Sequence, residues 1–372
     1  PKSYLSLLGG ALGFNLFQEA VSLKGIYVTG KDDPNQGINT ESSIYSQSRK
    51  GNLAAIVEET KLFNNMVNFK GEYARSSYDP DLTDDLPQQK DKAYNLRGQF
   101  QYKFFSLSAG YSYIGKNFNS IGYQFMTNDR KSLSVSTNLS LGKLNISGSI
   151  SSQSDNVEKD ISQMTTKNLN GNLNLGLNLS SRVMINLGYR RDDQSTFQND
   201  LEVAGQDSLT NEFSGSLTWT LTGATSLNFS FTNSNLSSQS SPETDSAALN
   251  LNFGASIRAG NFLSFNPTAG YSNTKNKFSG ETSNTYNIGA NGDLAIWPRY
   301  ISLNLSCFYN YSEMAMGSSK MFNAASGLNF SLANILKKIN IVLSLKGTYS
   351  HSKSPESNSQ DYKVFIQGNL SF

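Results

Sequence analysis

Apolar and polar residues alternate along most of this chain with a period of two. The pattern is clearest between Ser132 and Ile150, where serine and asparagine fill the positions between the apolar ones. A period of two places neighbouring side chains on opposite faces of a β-strand, and Gly142-Lys143 supplies a tight turn. The stretch therefore predicts a β-hairpin with one apolar and one polar face. Its apolar positions are Leu133, Val135, Thr137, Leu139, Leu141, Leu144, Ile146, Gly148 and Ile150.

The next hairpin repeats this pattern. Leucines from Leu169 to Leu179 alternate with asparagines, of which Asn170, Asn172 and Asn174 are examples. No segment of the chain is continuously apolar enough to form a second layer over these leucines. Lipid is the simplest solvent for such a face, and a sheet in lipid satisfies its edges by closing into a barrel.

Short turns and longer polar loops alternate from Gly51 onward. Bacterial outer-membrane barrels have short turns at one end and long loops at the other. About 19 strands are clear, or about 20 if 38–46 is a strand; we favour 20 because such barrels have even strand numbers, and a missing upstream strand is the alternative. The sequence predicts an all-β fold, a transmembrane antiparallel up-and-down β-barrel of about 20 strands that forms a single domain over 1–372.

Composition is compatible with this prediction. The 372 residues are 37% hydrophobic and 16% charged, with a mean hydropathy of -0.42. Only every second strand residue of a barrel meets lipid, so low hydropathy does not exclude the membrane. A net charge of +2, without basic clusters between aromatics, argues against nucleic acid as a partner. The chain begins at Pro1 without methionine, which we interpret as a mature or trimmed form.

Candidate chemistry is sparse. The single cysteine, Cys307, excludes a disulfide and a cysteine metal site within the chain, and there is no C-x-x-C-H haem motif. Cys307 is predicted to face lipid, and the single histidine, His351, to lie at the rim. A solvated acidic loop is the default interpretation of four aspartates, with calcium binding as the alternative. We predict no catalytic, cofactor or metal site. The four aspartates are Asp79, Asp81, Asp84 and Asp85.

The charged residues of the polar face are predicted to concentrate in its early part, at Lys24, Lys70, Glu72 and Arg97, with later exceptions such as Asp293 and Lys346. Further along it is mainly serine, asparagine, threonine and glycine. The longest loop, Lys31–Lys50, carries no cluster of opposed charge. We therefore expect a wide lumen without a loop that narrows it.

Aromatic residues gather where membrane girdles require them. Tyrosines such as Tyr111 and Tyr271 lie toward the long loops on the apolar register, and Phe104 and Trp297 lie by short turns. Amphipathic rings prefer the headgroup level of a membrane. Ordinary β-propensity of tyrosine and phenylalanine is the alternative explanation.

The final strand ends in Leu370-Ser371-Phe372. This resembles the terminal strand of Gram-negative outer-membrane proteins, whose last aromatic residue is read by the barrel-assembly machinery. A glycine usual in that signal falls at Gln367, whereas this chain has Gly368. The resemblance implies an outer-membrane location, contact with outer-membrane lipid, and an assembly signal at Leu370 and Phe372.

Two functions are compatible with a wide polar lumen. One is a sleeve around a partner protein, which resembles the porin-like sheaths of porin–cytochrome electron conduits and implies a multihaem cytochrome in the lumen. The other is a water-filled diffusion porin for small polar solutes. A secreted β-solenoid or adhesin is disfavoured because loop lengths alternate and no fixed-period repeat is present. An outer-membrane enzyme is also disfavoured, because serines near His351 are too common to indicate a catalytic pair.

Overall fold

A computed structural model describes the chain in residues 5–32, 48–82, 84–120, 127–199, 201–203, 207–238, 241–297, 300–315, 317–331, 340–355 and 357–371. The described residues form β-strands, tight turns, loops and one 3-10 turn at Pro242–Thr244. In these ranges no helix is long and apolar enough to cross a membrane.

Alternating sequence patterns become strands of 10–16 residues almost throughout, with one two-residue exception, β11. The strands are β1 (Leu5–Leu16), β2 (Val21–Asp32), β3 (Lys50–Leu62), β4 (Val67–Asp79), β5 (Gln89–Tyr102), β6 (Phe105–Ile114), β7 (Arg130–Leu141), β8 (Leu144–Asp155), β9 (Thr165–Ser180), β10 (Val183–Gln198), β11 (Leu201–Glu202), β12 (Ser208–Thr222), β13 (Thr225–Ser238), β14 (Ser246–Ala259), β15 (Leu263–Asn276), β16 (Thr282–Trp297), β17 (Ile301–Met314), β18 (Gly317–Ser331), β19 (Asn340–Lys353) and β20 (Asn358–Ser371).

The strands belong to one antiparallel sheet with up-and-down connections. The predicted all-β class, with antiparallel up-and-down strands numbering about 20, is confirmed. Within the described residues, tight turns occur where the sequence predicts them, and some of their residues adopt a left-handed conformation, as at Asn64 (φ 54°) and Gly142 (φ 60°). The turns predicted at 298–299 and 336–338 lie outside the described residues. The weak strand predicted at 38–46 lies outside the described residues.

The chain divides into two compact units. The first contains Pro1–Leu141, Asn145–Leu173 and Arg191–Ser208, and the second contains Gly142–Leu144, Asn174–Arg190 and Leu209–Phe372. In the first, each strand from β1 to β7 pairs with the next. In the second, the same holds from β13 to β20. The single-domain prediction stays a prediction.

Strand register sorts the side chains of each unit into two faces, because directly opposed residues of paired strands lie on the same side of a sheet. In the first unit the apolar face includes Leu23, Ile56, Phe69, Tyr73, Tyr94, Leu96, Leu107, Tyr111 and Leu133, and the polar face includes Ser22, Glu59, Asn95, Gln99, Ser108, Ser112, Ser132 and Ser134. In the second unit the apolar face includes Phe229, Leu251, Phe253, Tyr271, Tyr286, Ile288, Leu303, Leu305 and Leu345, and the polar face includes Asn228, Asn252, Asn287, Asn291, Asn304, Ser306, Asn310 and Ser344.

The apolar faces are bare. Among the described residues only Ala55, Ala74 and Phe118 are buried apolar side chains, whereas Ile288 is 62% exposed and Leu305 52%. The chain exposes 24340 Å², while a compact water-soluble protein of its mass exposes roughly 15,000 Å². These faces therefore require a partner other than water.

Candidate functional site

The four charged residues predicted from the sequence share the polar face of the first unit. Lys70 on β4 lies directly opposite Arg97 on β5 and Glu59 on β3. Lys24 on β2 and Glu72 on β4 both lie directly opposite Val57 of β3, one on each side of it. The register thus places the four together. Their predicted role as the wall of a lumen stays a prediction.

A cavity of about 860 Å³ lies beside this charged group, at the short-turn end of the first unit. Its lining carries both signs of charge, from Glu19, Glu59, Lys61, Lys70 and Arg97. Lys61 Nζ is 3.1 Å from Glu59 Oε1, and both side chains are about half exposed. Solvent screens such a pair strongly, so we assign it little stabilising energy.

The segment Gly115–Asn119 covers part of the polar face nearer the long loops. Phe118 is only 3% exposed and packs on Ala55 and Ala74. These residues belong to a small apolar patch within the polar face. The partly buried members of the patch are Ile26, Leu53, Ala93 and Ile114.

Backbone hydrogen bonds hold this segment in place. The backbone N–H of Asn117 donates to Asp91 Oδ2 at 2.8 Å, and that of Asn119 donates to Ser76 Oγ at 3.2 Å. A Cβ on Gly115 would lie 2.1–2.2 Å from the Asp91 carboxylate, far inside van der Waals contact. Glycine at this position is therefore what lets the chain turn onto the face.

A salt bridge ties the segment to the loop that follows β8. Lys116 Nζ lies 2.6 Å from Asp160 Oδ2, and Asp160 also accepts hydrogen bonds from the backbone N–H and hydroxyl of Ser162. The hydrogen bond from Lys116, followed by those from Ser162, holds the pKa of Asp160 well below its usual range. The same pairing raises the pKa of Lys116. A carboxylate with a lowered pKa keeps its stabilising contribution above its usual pKa and loses it only as pH falls through the lowered value. The bridge is therefore charged at every physiological pH.

The sequence predicts no loop that narrows the lumen, but in the first unit the segment Gly115–Asn119 lies on the polar face. The sequence could not indicate this, because the alanines that Phe118 packs against come from separate strands. Ala55, Ala74 and Ala93 come together only when β3, β4 and β5 pair in register.

Small polar side chains hydrogen-bond to one another across the polar face of the second unit. Asp293 accepts hydrogen bonds from Ser264 Oγ at 3.1 Å and from Asn304. Asn329 Nδ2 donates to Asn304 Oδ1 at 2.6 Å, and Ser344 Oγ donates to Asn329 Oδ1 at 2.7 Å. This chain of contacts crosses five strands, from β15 to β19. Such a wall consists mainly of small uncharged side chains that hydrogen-bond to one another.

Two aromatic residues of strands β13 to β20 interrupt this wall and were missed in the sequence: Phe365 of β20, which lies opposite Lys346, and Phe308. Phe308 of β17 lies on the polar face, opposite Gly289 of β16. A Cβ on Gly289 would be 2.4 Å from the Phe308 ring, so the ring occupies the space that a larger side chain at this position would fill. The available signal in the sequence was an aromatic residue at a polar position of the alternating pattern of β17, with a glycine at a polar position of the preceding strand.

Tyrosines form clusters on the apolar face of each unit toward the long loops, as predicted. Ring centroids of Tyr94 and Tyr113 are 4.8 Å apart in the first unit, and those of Tyr349 and Tyr362 are 4.7 Å apart in the second. At the opposite end of β16, Trp297 packs against Tyr300 with centroids 5.0 Å apart.

The remaining predicted positions are placed as follows. Cys307 is exposed on the apolar register between Ala290 and Ala324. His351 also lies on that register, with Nε2 3.0 Å from Asn358 Oδ1.

The acidic loop uses two of its carboxylates in turns: Asp79 accepts the backbone N–H of Asp81, and Asp84 that of Leu86. Within the described ranges no three metal-ligating side chains come together. Leu370 lies in β20 opposite Ile341, and Phe372 is outside the described residues, so the assembly signal stays a prediction.

Comparison with known proteins gives similarity of structure only. No protein-family model and no curated protein matches the chain. Among solved structures, the siderophore receptor PirA from Acinetobacter baumannii is similar with a TM-score of 0.44 and 10% identity, over 99% of this chain and 71% of that one.

A loop-deletion mutant of OmpT, an outer membrane protein of Vibrio cholerae, gives a TM-score of 0.38 and 9% identity over 87% of this chain and 98% of that one. The outer membrane protein OpdK from Pseudomonas aeruginosa gives a TM-score of 0.37 and 9% identity, over 88% of this chain and 95% of that one. The resemblance to outer-membrane proteins that the sequence indicated is thus also found among solved structures.

Proposed function

We propose that the chain is an outer-membrane β-barrel whose apolar face meets lipid and whose polar face lines a passage for small polar solutes. The bare apolar face carries this proposal. Large apolar side chains such as Ile56 and Ile288 are more than half exposed on strands of 13 and 16 residues. A tilted strand of about 9–11 residues suffices to span a bilayer.

The spacing of aromatic residues fits the thickness of a membrane. Tyr286 and Trp297 are eleven residues apart on β16, near its opposite ends. At ~3.4 Å per residue this separation is about 37 Å along the strand. A strand tilt of about 40° reduces it to roughly 28 Å, close to the ~25 Å apolar band of outer-membrane barrels.

The segment Gly115–Asn119 supports a solute passage. Diffusion porins narrow a wide bore by laying a loop on the inner wall, and Phe118 occupies such a position on the polar face of the first unit. The charged group beside it contains both signs, which favours solutes that carry polar or charged groups over apolar ones.

A sleeve around a partner protein is the second candidate. The observation that favours it is the mainly uncharged polar face of the second unit, where Asn304, Asn329 and Ser344 hydrogen-bond to one another. Side chains this small leave room for a polypeptide. A multihaem cytochrome is the partner that the resemblance to porin–cytochrome sheaths implies.

Single-channel recording in planar bilayers tests the passage. We expect the purified protein to give stable conductance steps with weak ion selectivity, because the wall of the second unit is mainly uncharged. Protein that inserts into the bilayer but conducts no ions would contradict the proposal. Mass spectrometry of protein purified from native membranes separates the two candidates: a stoichiometric cytochrome supports the sleeve, and recovery of the barrel alone supports the solute passage.

A further inference from the structure

The apolar face of the second unit carries a groove, and a pair of lysines lies beyond it toward the long loops, with Phe322 and His351 between the two. The groove, about 750 Å³, runs across β15 to β20 and is almost wholly apolar. Small residues form its floor, and larger ones such as Phe265 and Tyr362 form its sides. The small residues are Ala290, Gly292, Cys307, Ala324, Ser326 and Gly347.

Lys320 and Lys353 lie directly opposite each other on β18 and β19, on this same face and toward the long loops. Both are exposed. Lys320 Nζ lies 5.5 Å from the centre of the Tyr311 ring, which orients it over the tyrosine cluster. Within the described part of the chain, neither lysine forms an ion pair with a carboxylate.

Two like charges directly opposite on paired strands destabilise a sheet unless an ion of opposite charge lies between them. The first unit repeats the arrangement, since Arg75 lies directly opposite Lys92 on its apolar face, two residues beyond Tyr73 and Tyr94. In both units, paired cations thus stand at the long-loop edge of the apolar face, just beyond tyrosines. The recurrence indicates an anionic partner that lies along this edge.

We infer that the groove and the Lys320–Lys353 pair of the second unit bind a phosphorylated, multiply acylated lipid of the outer leaflet. Acyl chains fill the apolar groove, and a phosphate bridges the two ammonium groups. The charge of the pair selects an anion, and the groove selects an amphiphile over a free ion. This inference rests on the proposed outer-membrane location.

Native mass spectrometry of the detergent-solubilised protein tests the assignment. The probe is bis-phosphorylated hexa-acyl lipid A, compared with the same lipid after removal of its phosphates and with inorganic phosphate. We expect a retained lipid A molecule and an affinity at least about ten-fold lower for the dephosphorylated lipid. The K320Q/K353Q double variant should lose the same factor.

A matched control is the R258Q/K346Q variant, which removes the same charge from the polar face of the second unit, at positions that do not line the groove. We expect it to bind lipid A like the wild type. Ala324→Trp, which fills the floor of the groove, should weaken the binding of both lipids and leave the binding of inorganic phosphate unchanged.

Three results would overturn the inference: equal binding of both lipids, unchanged binding in K320Q/K353Q, or inorganic phosphate binding as tightly as lipid A. A dimer that Ala324→Trp abolishes would also overturn it, because a second copy of the chain would then occupy the groove. Conductance of the same preparations is recorded in parallel, so that loss of the lipid site with intact channels is distinguished from failure of the proposed passage.

Discussion

Replacing Ile288 by arginine is expected to lower the free energy of unfolding in a lipid bilayer by about 2–4 kcal/mol. Ile288 lies near the middle of β16 on the apolar face, and 62% of it is exposed. Its neighbours across the strands are Ala269 and Tyr309, so no carboxylate stands directly opposite. An arginine there must take its charge into hydrocarbon or distort the bilayer to reach water.

Asn291→Arg is the matched control on the same strand. Asn291 lies on the polar face, opposite Asn266 and Ser306, and is exposed. An arginine there stays in water, so we expect a change within about 0.5 kcal/mol. Both variants are refolded into phosphatidylcholine vesicles and unfolded with urea. Equal losses would mean that the two faces meet the same solvent.

The second large effect is expected from adding one methyl group at Gly115. Gly115→Ala brings a Cβ to within about 2.1 Å of the Asp91 carboxylate, which is also the acceptor for Asn117. Relief of that overlap costs about 1–3 kcal/mol, as overpacking usually does. Because the Asp91 carboxylate that must move also accepts the backbone N–H of Asn117, we expect the segment to loosen on the polar face and the single-channel conductance to rise.

Gly98→Ala serves as its control in the neighbouring strand. A Cβ on Gly98 has no heavy atom within 4 Å, so the substitution should leave the conductance unchanged. A Gly115→Ala channel with the conductance of the wild type would show that the segment does not narrow the passage.

The strands could be predicted from the sequence because the signal for them is local. A period of two, interrupted by glycine and asparagine turns, determines where a strand begins, where it ends and which side chains share its face. Gly142 and Asn64 occupy the left-handed turns that those residue types permit. The pattern is easy to recognise because, in the described strands, one face is apolar and the other polar, so the two types of residue alternate clearly.

Features that depend on register could not be predicted in this way. Lys320 and Lys353 are far apart in sequence, and only the pairing of β18 with β19 places them opposite each other. Phe118 seats on alanines from different strands, none of which has an unusual local sequence. The four charged residues were found because each falls on the polar register of its own strand, whereas their grouping depends on the sheet.

The most direct test of the central claim compares two adjacent residues of β17. Cys307 lies on the apolar face and Ser306 on the polar face. Channels are reconstituted in planar bilayers, and a membrane-impermeant thiol reagent is added. In a Cys307→Ser background, Ser306→Cys is predicted to react and to reduce the current in steps, while Cys307 of the wild type stays unmodified until detergent is added. Two results would contradict a polar face that lines a passage through lipid. One is modification of Cys307 in the intact bilayer as fast as the cysteine at position 306, and the other is a current that modification at position 306 leaves unchanged.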